Sequence, residues 1–243
     1  MILNISKFIG KLLQIFPKYK FIKVLNMRAK FFIPINNHYV SQDLINLSKG
    51  KREPKLFEWL NSMENDSVYF DVGTSYGQEV TLVSSMLKKN IKVFGFDCSL
   101  QQSHICAMNK KLNNDNFKFI FAAVSDKSGE IINISSSSDI HIKSLFKKNI
   151  HYNYDVMTLS LDDFSKKQNL VPTHLKIDVD GAESEVLKGA SNILKSNKLK
   201  QIYIEIDDKN INLIEYLNNF GFENKWESSH GNFKEIIFIK SAE

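Results

Sequence analysis

One short stretch constrains this chain more than any other. Val68-Tyr69-Phe70-Asp71-Val72 is β-prone, and Gly73-Thr74-Ser75-Tyr76-Gly77 follows it at once, ahead of a helical pattern over Gln78–Lys89. Glycines at both ends of that turn let the backbone bend sharply and approach other atoms where a Cβ would obstruct. A strand that turns on glycine into a helix is half of a βαβ unit, and the alternation recurs downstream. Lys92–Asp97 reads as a second strand, Gln101–Leu112 as a helix and Phe117–Val124 as a third strand. Leu175–Val179 and Ile202–Ile206 are two more, with a helix over Ala182–Leu194 between them. Strands alternating with helices at this spacing predict a parallel sheet covered on both faces.

The C-terminal part breaks that rule. After a helix over Ile211–Asn219 come Gly221, an apolar run Phe222–Glu227, a polar turn through Ser228–Asn232 and a second run Glu235–Ile239. Turn chemistry and alternation make this an antiparallel hairpin. A plain dinucleotide-binding fold would add another parallel strand there. Ser135–Ser138 reads as a loop between inserted strands Glu130–Ile134 and Asp155–Leu159.

Upstream, Ile5, Phe8, Ile9, Leu12, Leu13 and Phe16 share one helical face, with Lys7, Lys11 and Gln14 opposite, until Pro17 ends the pattern. A second basic-apolar stretch runs from Lys18 to Phe32, and residues 41–64 form a helical lead-in with Pro54 at the first turn of a helix. The expected organisation is therefore an amphipathic helical extension over residues 1–40 and an α/β domain over 41–243. For the extension, packing over the core is favoured, since any surface helix is amphipathic. Peripheral membrane contact through residues 1–30 and a homodimer contact are the other two readings.

Composition narrows the partners. The formal net charge is +5, yet only Arg28 and Arg52 are arginines among 32 basic residues. Readers of nucleic acid lean on arginine forks, so no nucleic-acid partner is expected. No run approaches the roughly 18 apolar residues of a membrane span, and lysines interrupt the N-terminal apolar stretch with no small-residue cleavage site after it. Cys98 and Cys106 lack metal-ligand spacing and read as reduced thiols, which fits a cytoplasmic location.

The turn suggests a ligand with charged groups. Unpaired amides at the helix start favour a carboxylate, and Asp71 is placed to receive an ammonium, directly or through water; Gly73, Thr74, Ser75 and Gly77 would line the approach. Asp97, ending the second strand about 20 residues beyond the turn, stands where an acid takes a ribose diol. Ser125 and Asp126, after the third strand, are candidates for hydrogen bonds to a base. The glycine spacing departs from the Gly-x-Gly-x-x-Gly of pyrophosphate binders, which counts against NAD. S-adenosylmethionine carries every group this constellation would meet.

At the other strand ends, Asp178 and Glu205 could converge as the reacting pair. One carboxylate as general base would assist removal of a hydroxyl proton; alternatively Asp178 and Glu205, with Asp180, could hold Mg²⁺ to acidify it. Glu183 divides equally between helix capping and catalysis. Lys176 either pairs with Glu205 or is solvated. His141, His151 and His230 fall in expected loops without ligand spacing, although His141 or His151 could reach an acceptor as base.

Leu175-Lys176-Ile177-Asp178-Val179-Asp180-Gly181-Ala182-Glu183, continuing Glu185-Val186-Leu187-Lys188-Gly189-Ala190, resembles the FkbM family of methyltransferases. Asp71–Gly77, Ala122–Gly129 and the Leu161-Asp162-Asp163 step carry the same resemblance, which runs from about Glu53 to the C-terminus. Asp180 stands where glutamate is common, keeping the charge and shortening its reach by one methylene. The resemblance implies a class I methyltransferase fold: a Rossmann-like sheet of seven strands ending in an antiparallel hairpin. It further implies S-adenosylmethionine as methyl donor and a hydroxyl acceptor on a sugar, lipid-linked glycan or natural product. Two other functions compete with this one. A nucleotide-sugar oxidoreductase is opposed by the glycine spacing and the hairpin, and a non-catalytic cofactor-binding scaffold by the intact acidic-glycine constellation.

Overall fold

The computed structural model describes residues 19–34, 37–137 and 151–241. The amphipathic pattern over residues 5–16, residues 138–150 with His141, and the side chain of His151 lie outside the described residues.

The central sheet has seven strands. In chain order they are β3 (Val68–Val72), β4 (Lys92–Asp97), β5 (Lys118–Phe121), β9 (His174–Ile177), β10 (Gln201–Asp207), β11 (Phe222–His230) and β12 (Phe233–Lys240). Across the sheet the order is β11-β12-β10-β9-β3-β4-β5. From β5 to β10 every pairing is parallel, while β12 is antiparallel to both β10 and β11. The expected class I methyltransferase layout, with its closing hairpin, is what the chain adopts. β3 is buried along its whole length, as a central parallel strand covered on both faces must be.

Alternation along β3 feeds two cores. Tyr69 faces a cluster with Trp59, Val80, Cys106 and Tyr203; Phe70 and Val72 face the other, with Phe96, Phe164, Leu175 and Leu187. The first face is covered by α1 (His38–Ser48), α2 (Pro54–Ser62), α3 (Gln78–Val83) and α4 (Leu100–Leu112), the second by α5 (Leu161–Gln168), α6 (Glu183–Lys188), α7 (Ser191–Lys195) and α8 (Asn212–Asn218). Local chemistry starts these helices. Asn37, Ser99 and Ser160 accept hydrogen bonds from the third residue onward, satisfying an otherwise orphan amide. Pro54 occupies the first turn of α2. Asp162 accepts from the backbone N–H groups of Asn192 and Ile193 at 2.9 and 3.0 Å, tying α5 to α7.

Several boundaries differ from the pattern reading. The expected helix 78–89 stops at Val83 and resumes as a single 3₁₀ turn, and the expected helix 182–194 breaks at Gly189-Ala190. A Cβ on Gly189 would meet the Ser125 carbonyl oxygen at 2.1 Å, so the break is where the chain passes closest to a neighbouring loop. The expected third strand splits: β5 stays in the main sheet, while β6 (Ala123–Val124) leaves it to pair with β8 (His151–Leu159), which is antiparallel to β7 (Ile131–Ser137). His151 therefore starts a strand rather than lying in a loop.

The helical extension expected over residues 1–40 needs correction over its described part. Tyr19–Val24 (β1) and Met27–Phe32 (β2) form an antiparallel hairpin. Ile22, Met27, Ala29 and Phe31 are buried in the first core, and the polar Asn109 and Asn113 of the α4 region hold the β2 backbone at 2.7 and 3.0 Å. Period-two burial, with Arg28 outward and Ala29 inward, is the strand signature that the mixed basic-apolar composition obscured. Among the described residues no helix is long and apolar enough to cross a membrane.

Candidate active site

The carboxyl ends of β3, β4, β9 and β10 open into one cavity of 890 Å³, where open α/β sheets take their ligands. Its floor is the glycine turn. Gly73 has φ +80°, and a Cβ there would sit 1.7 Å from the Asp178 carbonyl oxygen. Only glycine lets the ends of β3 and β9 close on each other. Gly77, at φ +79°, packs so near α4 that a Cβ would lie 2.6 Å from Cys106 Sγ. Between them Ser75 is held at φ +52°, a left-handed conformation that its N–H repays by donating to Asp97 Oδ2 at 2.8 Å.

Three amides of the turn are taken up within the protein, while the start of α3 carries no side-chain cap. The N–H groups of Gly73 and Thr74 both reach Phe96 O at 3.0 Å, and that of Gly77 reaches Thr74 O at 2.8 Å. The neighbouring strand absorbs the first two and the turn itself the third. Asp97 also accepts from Ser99 N–H at 2.7 Å, on its other oxygen. Each carboxylate oxygen has a further lone pair, and Asp97 lines the cavity. Burial raises its carboxyl above the ordinary range, with the Ser99 and Ser75 amides drawing it back.

Asp71 is elsewhere than expected. It is fully buried and does not line the cavity, nor does Thr74, whose hydroxyl donates to Asp71 Oδ2 at 2.7 Å. The parallel register sets Asp71 directly beside Lys176 on β9, on the same face, and Lys176 Nζ stands 3.5 Å from Asp71 Oδ1. Direct contact between Asp71 and a ligand's ammonium is thereby corrected: the carboxylate is spent inside the protein. Burial lifts the Asp71 carboxyl to about 7, with Lys176 opposing that rise.

Lys176 itself is 2% exposed. It donates to Asp178 Oδ2 at 3.1 Å, and no contact joins it to Glu205, so neither partner reading of this lysine held. Burial would strip its ammonium, but Asp178 and Asp71 hold its pKa well above the usual value. Asp178 reaches the cavity with one oxygen so committed. Glu205 also lines the cavity, half-buried, and makes no ion pair among the described residues. Burial, then Asp178 and Glu235, push its carboxyl up to about 7.

Asp180 lines the rim from a left-handed backbone, φ +54°. Ser125 lines the cavity, but Asp126 does not; it is exposed and accepts from Ser125 Oγ at 3.2 Å. Glu183 is structural: it accepts from Gly181 N–H at 2.9 Å and from Asn210 Nδ2 at 3.3 Å. His230 lies on the terminal hairpin, 3.7 Å from Glu235. Among the described residues no group of three or more His, Cys, Asp or Glu is arranged to hold a metal ion. The Asp178, Glu205 and Asp180 ligand set is therefore not assembled.

Other lining residues come from the inserted strands and the lead-in, which the sequence reading gave no part in the site. Ile132, Ile134 and Tyr154 of the inserted strands form one wall, and the Tyr154 hydroxyl donates to Cys98 O at 2.9 Å. The lead-in contributes Tyr39, Arg52 and Glu53. Arg52 carried one available signal, the rarity of arginine in this chain.

Comparison with known proteins adds the family. The model of the methyltransferase FkbM domain matches residues 61–224. No curated protein matches the sequence. Among solved structures, precorrin-6y C5,15-methyltransferase from Geobacter metallireducens is 14% identical, with TM-score 0.45 over 75% of this chain and 84% of that one. Magnesium protoporphyrin IX methyltransferase from Synechocystis is 11% identical, with TM-score 0.48 over 86% and 87%. M. capricolum TrmK, solved with S-adenosyl-homocysteine, is 13% identical, with TM-score 0.45 over 76% and 67%. Likeness at that level carries no functional argument; the family model, spanning most of the chain and both the glycine turn and the Lys176–Glu185 segment, does. The chain belongs to the FkbM family of methyltransferases.

Proposed function

We propose that this methyltransferase moves a methyl group from S-adenosylmethionine to a hydroxyl of a sugar, glycan or other small molecule, with Glu205 as the general base. The observation that carries this reading is Glu205 itself. It is a carboxylate without an ion-pair partner among the described residues, facing the cavity, with its pKa raised to about 7. An alcohol attacks well only as its proton leaves, and a base matched to neutral pH is suited to take it.

The cavity suits the donor. Asp97 offers free lone pairs to ribose hydroxyls, while Val124, Ile132 and Tyr154 supply a mostly apolar wall for a base, with Ser125 beside it. When bound, the donor supplies an electrophilic methyl on a sulfonium. Asp178 has one oxygen taken by the Lys176 ammonium at 3.1 Å; its role is to hold negative potential beside the reacting centre. Asp180 at the rim is a candidate contact for the acceptor. No Mg²⁺ is invoked, since Asp178 is committed to Lys176.

The test is methyl transfer from labelled donor to a panel of glycosides across pH. The rate should climb as pH rises through about 7 and level off above it, because the ionised carboxylate is the active form. Glu205→Gln should remove that limb and lower transfer by roughly 10²- to 10⁴-fold, with S-adenosylhomocysteine binding nearly unchanged. A wild-type rate in this variant, or label found on nitrogen or carbon, would overturn the assignment. Stability should follow the same titration. With the folded pKa raised from 4.5 to about 7, Glu205 favours folding below pH 4.5 and that contribution is lost as pH rises through 7. Denaturant midpoints of wild type and Glu205→Gln should diverge over that window.

A further inference from the structure

The cavity is markedly acidic, although the whole chain carries a net charge of +5. Glu53, Glu79, Asp97, Asp178 and Glu205 are among its lining carboxylates. Among the described residues that line it, the only cations are Lys176 and Arg52. Lys176 is buried beneath the surface and held by Asp71 and Asp178. The amides of Gly73, Thr74, Ser75 and Gly77 are already bonded within the protein. A ligand carboxylate entering this cavity therefore has one evident charged partner.

Arg52 is built to serve. Its Nη1 stands 3.3 Å from Asp43 Oδ1 and its Nη2 2.9 Å from Glu53 Oε1, while the side chain remains 28% exposed. Nε is buried and makes no hydrogen bond, so the donors facing outward are on the two Nη atoms. A guanidinium has five N–H donors in a planar fork, so these two pairs leave donors over while fixing its plane. The anchor is firm. Asp43 is buried, and its other oxygen accepts from the Tyr76 hydroxyl at 2.6 Å, which ties Arg52 to the second half of the glycine turn. Asp97, by contrast, is tied to Ser75 and to the start of α4.

We propose that Arg52 binds the carboxylate at the amino-acid end of S-adenosylmethionine, with the Glu53 and Glu79 carboxylates flanking it to receive the ammonium. Arg52 and Glu53 precede the residues 61–224 matched by the family model, so this contact is assigned by the geometry of this chain. It rests on the donor reading above and adds a residue to it: the segment before α2 becomes part of the binding site rather than a mere lead-in.

Two ligands separate the possibilities in calorimetry. S-adenosylhomocysteine carries the amino-acid group; 5′-methylthioadenosine keeps the nucleoside and sulfur but lacks it. Arg52→Gln should weaken S-adenosylhomocysteine roughly 10- to 100-fold, the scale of a lost charge-assisted hydrogen bond, and leave methylthioadenosine within about 2-fold of wild type. Arg52→Lys, which keeps the charge facing Asp43 and loses the fork, should show a smaller loss on the same ligand only and serves if the glutamine variant does not fold. Equal losses on both ligands would make Arg52 a purely structural residue and overturn the proposal, as would no loss on either. A wild type that binds neither ligand would refute the donor reading itself, which is a different failure.

Discussion

Replacing Lys176 with methionine is expected to destabilise the protein by about 3–5 kcal/mol, the cost of leaving a buried charge without its partner. Asp71 is completely buried, and among the described residues the Lys176 ammonium is the cation that offsets its desolvation, beside the Thr74 hydroxyl. For a domain of this size that corresponds to a fall of roughly 6 to 20 °C in melting temperature. The loss should deepen with rising pH. Without Lys176 the Asp71 carboxyl moves further above its ordinary value, so the folded state holds a proton that the unfolded chain has released. Stability is then retained below pH 4 and drains away as pH climbs. Asp71→Asn in the Lys176→Met background removes the stranded charge and keeps an oxygen for Thr74. It should recover most of the loss. Equal melting temperatures for wild type and Lys176→Met, or no recovery in the double variant, would show that the pair is not what holds β3 against β9.

Asp97→Ala is expected to weaken S-adenosylhomocysteine binding by about 100-fold or more, the loss of two hydrogen bonds from a charged acceptor. Its carboxylate does two things at once. It holds Ser75 in a left-handed conformation and fixes Ser99 at the cap of α4, and it offers remaining lone pairs to the ribose. Both depend on an acceptor at that point. Asp97→Asn keeps one carbonyl oxygen and should lose less, roughly 10-fold, with the gap between the two variants measuring the charge. Calorimetry reads this directly, and the ligand-free melting temperature separates the loop from the ligand. Should binding survive in Asp97→Ala, the nucleoside end of the cavity would have to be sought elsewhere.

What was legible from residues alone was whatever is local. The strand–glycine–helix run at Val68–Gly77, the alternation that followed it and the closing hairpin all rest on periodicities of a few residues, and these elements stand in the structure as read, apart from their ends, the split third strand and the break in helix 182–194. The turn glycines were readable too, because positive φ is a property of a single residue. The β1–β2 hairpin was not, since a basic-apolar stretch of that length fits helix and strand alike until Ile22, Ala29 and Phe31 find a core to face.

The partners of charged groups were equally out of reach. Asp71 looked like a ligand contact because it precedes the glycines; parallel register, a relation between segments over a hundred residues apart, placed Lys176 beside it and withdrew it from the cavity. The β9–β10 register sets Tyr203, not Glu205, beside Lys176, and Glu205 makes no ion pair among the described residues. Arg52 and Tyr154 entered the cavity only through packing of segments remote from the glycine turn. Sequence thus determined the elements and the kind of site, because backbone preference and side-chain period are short-ranged. Tertiary structure decided which acids face the ligand and which are spent within the protein, because burial and pairing depend on neighbours distant along the chain.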